Sequence, residues 1–254
     1  MTRVQLAPIS SAIAGAVVVT LLGVVALHWH QLWVPAVGWL AALSYLLISN
    51  ALLLRGLRQR ETTRFGAANV VTAVRSTLVG VISGIVVSSF VAPMPVGLLV
   101  ALVVPALLLD AVDGWVARRT NSASELGARF DMEVDAFLLL VLSAYVAQTL
   151  GVWVLAIGVM RYAFVAAGWI FPWFRRQLPF RYWRKVVTAV QGIALTIAAT
   201  GFLPVLDVLV VAIALALLIE SFGRDVVWLM ARRRELNSPS GALPLSNSER
   251  EAPE

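Results

Sequence analysis

Residues 110–135 read DAVDGWVARRTNSASELGARFDMEVD, a charged stretch set in an otherwise apolar sequence. If both halves are helical, Asp110 and Asp113 share one helix face, and Asp131 and Asp135 share another because they are four residues apart. Two helices joined by a short loop would point these four carboxylates at each other. Carboxylates at close range stay ionised only when cations lie among them, and oxygen ligands favour hard ions such as Mg²⁺ or Mn²⁺. The stretch therefore predicts two helices that share a divalent metal site.

The spacing of its acids and small residues is D-x2-D-G-x2-A-R-x8-G-x3-D-x3-D, which resembles the signature of the CDP-alcohol phosphotransferase (CDP-alcohol phosphatidyltransferase) family. Every fixed position is matched, in order by Asp110, Asp113, Gly114, Ala117, Arg118, Gly127, Asp131 and Asp135. The resemblance implies an integral membrane enzyme of phospholipid biosynthesis. Such an enzyme transfers a phosphatidyl group from a CDP-linked lipid, here CDP-diacylglycerol, to an alcohol and releases CMP.

The resemblance also implies a role for each matched residue. Two divalent ions, Mg²⁺ or Mn²⁺, would be held by Asp110, Asp113, Asp131 and Asp135. Asp135 would in addition be the catalytic base that takes the proton of the acceptor hydroxyl. The residues implied to contact the CDP donor are Asn69, Thr72, Gly114, Ala117, Arg118 and Gly127.

The composition is that of a membrane protein, with 60% apolar residues, 13% charged residues and a mean hydropathy of +0.86. A water-soluble protein does not expose that much apolar surface. The apolar runs predict spans at residues 8–28, 36–54, 69–90, 96–118, 127–150, 152–174, 186–201 and 205–230. The fold class predicted is therefore all-α, a polytopic membrane helix bundle of about eight transmembrane helices, with a six-helix catalytic core and an N-terminal hairpin.

Charge distribution predicts the topology. Of the twenty basic residues nineteen are arginine, and they cluster in loops on one side of the predicted spans. By the positive-inside rule both termini and the signature are cytoplasmic, in a multi-pass protein of the cell membrane. Clustering between spans also argues against a nucleic-acid partner, in spite of a net charge of +6. The predicted domains are a hairpin with its basic loop at 1–64, a catalytic domain at 65–234 and a disordered cytoplasmic tail at 235–254.

Further polar residues lie inside the predicted spans. Asn69-x-x-Thr72-x-x-Arg75 stacks three polar side chains along one helix face, and burial of Arg75 requires an anionic partner. Arg161 lies inside an apolar span and should therefore face a polar cavity or an acid. Two pairs with i, i+4 spacing are interpreted as intrahelical ion pairs without a catalytic role, namely Arg129 with Glu133 and Glu220 with Arg224.

The acceptor alcohol is left open by the sequence. Four basic residues suit a phosphorylated acceptor such as glycerol 3-phosphate, namely Arg161, Arg181, Arg184 and Lys185. Inositol phosphate, serine and phosphatidylglycerol are the alternatives within the family. From other classes, a cation-coupled transporter that uses Asp131 and Asp135 or a purely structural membrane anchor are the alternatives. A homodimer and the role of the N-terminal hairpin are also left open.

Overall fold

The computed structural model describes residues 34–59, 67–120, 125–175 and 182–237. Within these ranges the chain forms seven α-helices and no strand. They are α1 (Ala36–Gln59), α2 (Ala67–Ser89), α3 (Val96–Thr120), α4 (Glu125–Leu150), α5 (Leu155–Ile170), α6 (Tyr182–Thr200) and α7 (Pro204–Asn237). Short 3₁₀ turns, Val152–Val154 and Pro172–Arg175, flank α5. The predicted all-helical class is confirmed for this part of the chain.

Four segments of the described chain are long and apolar enough to cross a membrane. They are Ala36–Leu53, Thr72–Ser89, Val152–Ile170 and Pro204–Arg233, and α3 carries a shorter apolar segment, Val96–Val112. The protein is thus a multi-pass helical membrane protein. The count of eight spans, the cytoplasmic termini and the domain boundaries stay predictions, because the predicted span 8–28 and residues 238–254 of the tail lie outside the described residues.

Helix ends fall where the local sequence stops a helix. The chain turns between α6 and α7 at Gly201, whose φ of +64° lies in the left-handed region that suits glycine. Pro204 is the first residue of α7, a position where proline's missing N–H costs no helical hydrogen bond. These two residues explain why the chain forms two separate helices here, as the sequence predicted.

The second helix, α2, lies at the centre of the described bundle. It packs against α1, α3 and α4, and most of its apolar segment is buried. Its side chains Val79, Ile82 and Val86 belong to the apolar core, with Leu99 of α3 and Leu142 of α4. The two halves of the signature lie on α3 and α4, which follow each other in the sequence. Both of these helices pack against α2 and against α6. Side chains of α2 are consequently placed between the two halves of the signature.

Helix α1 approaches α2 very closely at two glycines. A Cβ atom added to Gly84 would lie 2.8 Å from the carbonyl oxygen of Gly38 and 3.1 Å from Cβ of Ala42. Small residues allow such backbone approach, which is how helices gain packing energy inside a membrane. The opposite side of α1 is exposed, with Leu40 and Leu47 among its large apolar residues. That exposed side is suited to contact lipid.

Polar contacts continue the α1–α2 interface towards α4. Oγ of Ser49 lies 2.8 Å from Oγ of Ser76, and the hydroxyl of Tyr45 lies 3.3 Å from the same atom. The ring of Tyr45 also stacks on Phe137 of α4, with centroids 4.4 Å apart and planes inclined by 20°. Tyr45 therefore contacts both α2 and α4.

Candidate active site

Three of the four signature acids meet in space. Asp110 is in the C-terminal half of α3, and Asp131 and Asp135 lie one turn apart near the start of α4. One carboxylate oxygen from each residue can be chosen so that all three lie within 4.8 Å of one another. The two halves of the signature thus form one site, as the helical spacing predicted.

A cation from a third helix occupies the centre of this group. Arg75 of α2 forms ion pairs with all three acids. Its Nη1 atom bonds to Asp110, and its Nη2 atom lies 2.5 Å from Oδ1 of Asp131 and 2.8 Å from Oδ1 of Asp135. Nη2 also donates to the main-chain oxygen of Asp131 at 3.3 Å. The expectation that Arg75 has an anionic partner is confirmed.

The site has a buried side and an open side. The side chain of Arg75 is 1% exposed, whereas those of Asp110, Asp131 and Asp135 are 45%, 30% and 26% exposed. The guanidinium group therefore contacts the carboxylates from inside the bundle, and the carboxylates face outwards. A cation or a substrate phosphate can approach them only from the open side.

The donor residues implied by the family resemblance are placed only in part. Thr72 is buried and lies one turn before Arg75 on α2. Gly127 is half-buried in the first turn of α4, four residues before Asp131. For five other residues the structure describes the helix backbone and not the side chain: Asn69 in α2 and Asp113, Gly114, Ala117 and Arg118 in α3. Asp113 is three residues after Asp110 on α3, which puts both on similar faces of that helix.

Arg161, the first of the acceptor candidates, is ion-paired. Its Nη2 atom lies 2.5 Å from Oε1 of Glu133, and the two side chains are 32% and 56% exposed. The prediction that Arg161 faces a polar cavity or an acid is thereby confirmed, with α4 as the helix that supplies the acid. The interpretation of Glu133 as only an intrahelical partner of Arg129 was incomplete. Glu133 is two residues from both Asp131 and Asp135, so helical geometry turns it away from them.

Two of the other acceptor candidates, Arg184 and Lys185, lie in the first turn of α6. Nε of Arg184 is 3.8 Å from Oδ2 of the buried Asp225 of α7. Lys185 is exposed, and Arg181 lies outside the described residues. The predicted pair of Glu220 and Arg224 is confirmed as an i, i+4 ion pair on α7. Arg184 thus pairs with α7, and the roles of Arg184 and Lys185 in acceptor binding stay predictions.

The chemistry of the acidic group fits a hard divalent cation. Its ligands are carboxylate oxygens, three of them can converge, and no cysteine occurs anywhere in the chain. A basic residue buried behind the acids keeps them from repelling each other, so that the group is stable enough to persist in a membrane helix bundle. The same arrangement could hold a pyrophosphate through bound ions.

Comparison with known families gives the identity of this arrangement. The family model for CDP-alcohol phosphatidyltransferase matches residues 65–221, which includes α2 to α6 and about half of α7 and leaves α1 outside. No curated protein and no solved structure matches the chain. The matched region covers more than half of the sequence and contains Arg75 and all three converging acids. The chain therefore belongs to the CDP-alcohol phosphatidyltransferase family, whose members transfer a phosphatidyl group from a CDP-alcohol in lipid synthesis.

Proposed function

We propose that the protein transfers the phosphatidyl group of CDP-diacylglycerol, or of a similar CDP-linked lipid, to an alcohol and releases CMP. The proposal rests on one observation above all, the meeting of Asp110 with Asp131 and Asp135 around Arg75. Both halves of the signature contribute to that site, in a chain that belongs to the family. The active site would face the cytoplasm, on the side where the basic loops are predicted.

The acids Asp110, Asp113, Asp131 and Asp135 would hold the divalent ions, two Mg²⁺ or Mn²⁺. When bound, such ions supply positive charge to the pyrophosphate of the donor and to the departing CMP. The partial exposure of Asp110, Asp131 and Asp135 supports this assignment, because an ion and a donor phosphate can reach them from the open side.

The reaction exchanges one phosphorus–oxygen bond for another. The hydroxyl oxygen of the acceptor forms a bond to the phosphorus of the phosphatidyl group, and the bond from that phosphorus to the bridging pyrophosphate oxygen breaks. CMP leaves with the bridging oxygen, and Asp135 takes the hydroxyl proton. Asp135 has the least exposed side chain of the three converging acids, which supports a role close to the reacting atoms.

Donor recognition would involve the start of α2 and the end of α3. Gly114 and Ala117 have little or no side chain and so permit close approach of the nucleotide. Arg118, Asn69, Thr72 and Gly127 would complete the contacts to CDP. The acyl chains would stay in the bilayer beside the exposed apolar helix faces while the head group reaches the acids.

For the acceptor we propose a phosphorylated alcohol such as glycerol 3-phosphate. Arg161 pairs with Glu133 of α4, the helix that also carries the proposed base Asp135, so a phosphate held by Arg161 would place the acceptor next to that helix. Arg181, Arg184 and Lys185 would add positive charge along the route of the acceptor. Inositol phosphate, serine and phosphatidylglycerol are the acceptors to compare. Membership in a transferase family argues against the transporter and anchor alternatives.

The test is an acceptor screen. Purified protein in nanodiscs is given CDP-diacylglycerol and one alcohol at a time, and CMP release is measured with Mg²⁺, with Mn²⁺ and with chelator. We expect CMP release with glycerol 3-phosphate that depends on the divalent ion. Release with serine or phosphatidylglycerol alone would replace the proposed acceptor. Absence of CMP release with every acceptor and both ions would overturn the proposed function.

A further inference from the structure

The environment of Arg75 is unusual for a residue in a membrane helix. Its side chain is almost fully buried between three helices, and it bridges acids that come from both halves of the signature. Burial of a charged side chain is unfavourable unless partners compensate it, and here three carboxylates do so. Removal of Arg75 would leave these carboxylates facing each other without a cation.

The charge balance of this group is incomplete. The three converging carboxylates and one guanidinium group leave a net negative charge, which favours the binding of a divalent cation. Arg75 and such an ion would carry like charges and share the same ligands, so each weakens the binding of the other. The two cations would approach from different sides, since Arg75 is buried and the carboxylates are partly exposed.

We infer that Arg75 is a positioning residue that acts as a tethered counter-ion: it holds Asp110, Asp131 and Asp135 together when no ion is bound and lowers their affinity for the divalent ion. The inference rests on the use of a divalent ion in the proposed function. It assigns Arg75 a role in ion affinity that differs from direct contact with the nucleotide. Its consequence is that the site stays assembled when the ion dissociates.

The test compares Arg75→Gln, Arg75→Lys and a control, Arg224→Gln, in nanodiscs without any substrate. Arg224 is a suitable control because it is also ion-paired with an acid, Glu220, but on the exposed surface of α7. Two quantities are measured for each protein. They are the Tm in excess chelator and the Kd for Mn²⁺, the latter from the electron paramagnetic resonance signal of the free ion.

For Arg75→Gln we expect opposite changes in the two quantities. The Tm in chelator falls because the acids lose their cation, whereas Mn²⁺ binds about tenfold more tightly or better because a neighbouring positive charge is gone. Arg75→Lys keeps the positive charge, so its Kd for Mn²⁺ stays within about threefold of wild type. Because lysine lacks the planar guanidinium group that bonds several carboxylates at once, its Tm in chelator lies between those of wild type and Arg75→Gln. Arg224→Gln changes neither quantity.

A second variant keeps the test decisive if Arg75→Gln folds poorly. Arg75→Gln combined with Asp110→Asn removes one positive and one negative charge, and the Tm in chelator should recover towards wild type. Further loss of Tm in the double variant would overturn the inference, and so would Mn²⁺ binding to Arg75→Gln that is unchanged or weaker. None of these measurements uses donor or acceptor, so a wild-type protein that releases no CMP would overturn the proposed function alone.

Discussion

Arg161 of α5 and Glu133 of α4 form an ion pair between two helices, with Nη2 and Oε1 2.5 Å apart. Glu133 lies on the same helix as Asp131 and Asp135, two residues from each, and helical geometry turns it away from them. Glu133 gives Arg161 the compensation that a charged residue in an apolar helix requires. An anionic acceptor that binds Arg161 would therefore have to share it with Glu133 or displace Glu133 from it.

Replacement of Arg161 tests where the acceptor's charge is bound. Arg161→Ala should raise the KM for a phosphorylated acceptor about tenfold or more, because a charge-assisted contact to phosphate contributes ~1.5–3 kcal/mol. The KM for the donor should hardly change. Arg224→Ala, which removes an exposed and already paired arginine, is the control and should leave both values as they are. If Arg161→Ala changes neither KM, Arg161 has a structural role only.

Replacement of Glu133 should lower the KM for a phosphorylated acceptor, the constant that replacement of Arg161 should raise. Glu133→Gln removes the carboxylate that would compete with the acceptor phosphate for Arg161, so the KM for a phosphorylated acceptor should fall severalfold. The variant is measured beside wild type with glycerol 3-phosphate and with serine, which carries no phosphate. An increased KM for glycerol 3-phosphate would show that Glu133 assists acceptor binding instead.

Replacement of Asp135 tests its proposed role as the base, which it would hold in addition to a role as metal ligand. Asp135→Asn cannot take the acceptor proton, so turnover should fall by at least ~10² while binding of CDP-diacylglycerol stays measurable. Asp110→Ala should instead weaken donor binding, since it removes a proposed ligand of the ion that would hold the pyrophosphate. Single-turnover kinetics and donor binding are measured for both variants. Turnover of Asp135→Asn comparable to wild type would exclude Asp135 as the base.

A glycine substitution tests the close approach of α1 to α2. Gly84→Ala should lower the Tm, because the new Cβ would lie 2.8 Å from the backbone oxygen of Gly38, which cannot move aside alone. Gly223→Ala of α7 is the matched control, since nothing lies within 4 Å of its Cβ position. There the substitution should leave the Tm equal or higher, because alanine favours helix by about 1 kcal/mol over glycine. Equal Tm values for Gly84→Ala and wild type would contradict the described helix packing.

The sequence was sufficient to predict features that depend on a single helix, such as its bounds and the residues that share one of its faces. Apolar runs predicted helices close to their observed bounds, for example 96–118 against the observed Val96–Thr120. The i, i+4 spacing of Asp131 and Asp135 likewise placed both acids on one face, because that follows from helical geometry alone. The meeting of Asp110 with this face was expected from the short link between the two signature helices.

Relations between helices distant in sequence were not predictable in the same way. Periodicity shows which side of a helix is polar, but it does not say which neighbour lies there. For this reason Arg161 was expected to meet an acid or a cavity, while Glu133 was assigned to its own helix. The position of α2 between the signature helices, and with it the three partners of Arg75, likewise depends on packing across the bundle.

The contacts of Tyr45 and Ser49 have a consequence for how this protein can be divided. A chain cut at residue 65 would retain every position that the family model matches, and yet it would lose the hydroxyl groups that bond to Ser76, the residue next to Arg75. It would also lose the ring that stacks on Phe137, two residues from Asp135. The segment that the family model matches is thus smaller than the segment whose side chains contact the neighbours of Arg75 and Asp135. A protein truncated in this way would keep the whole signature but lose packing and hydrogen bonds that position the helices α2 and α4, which carry part of the site.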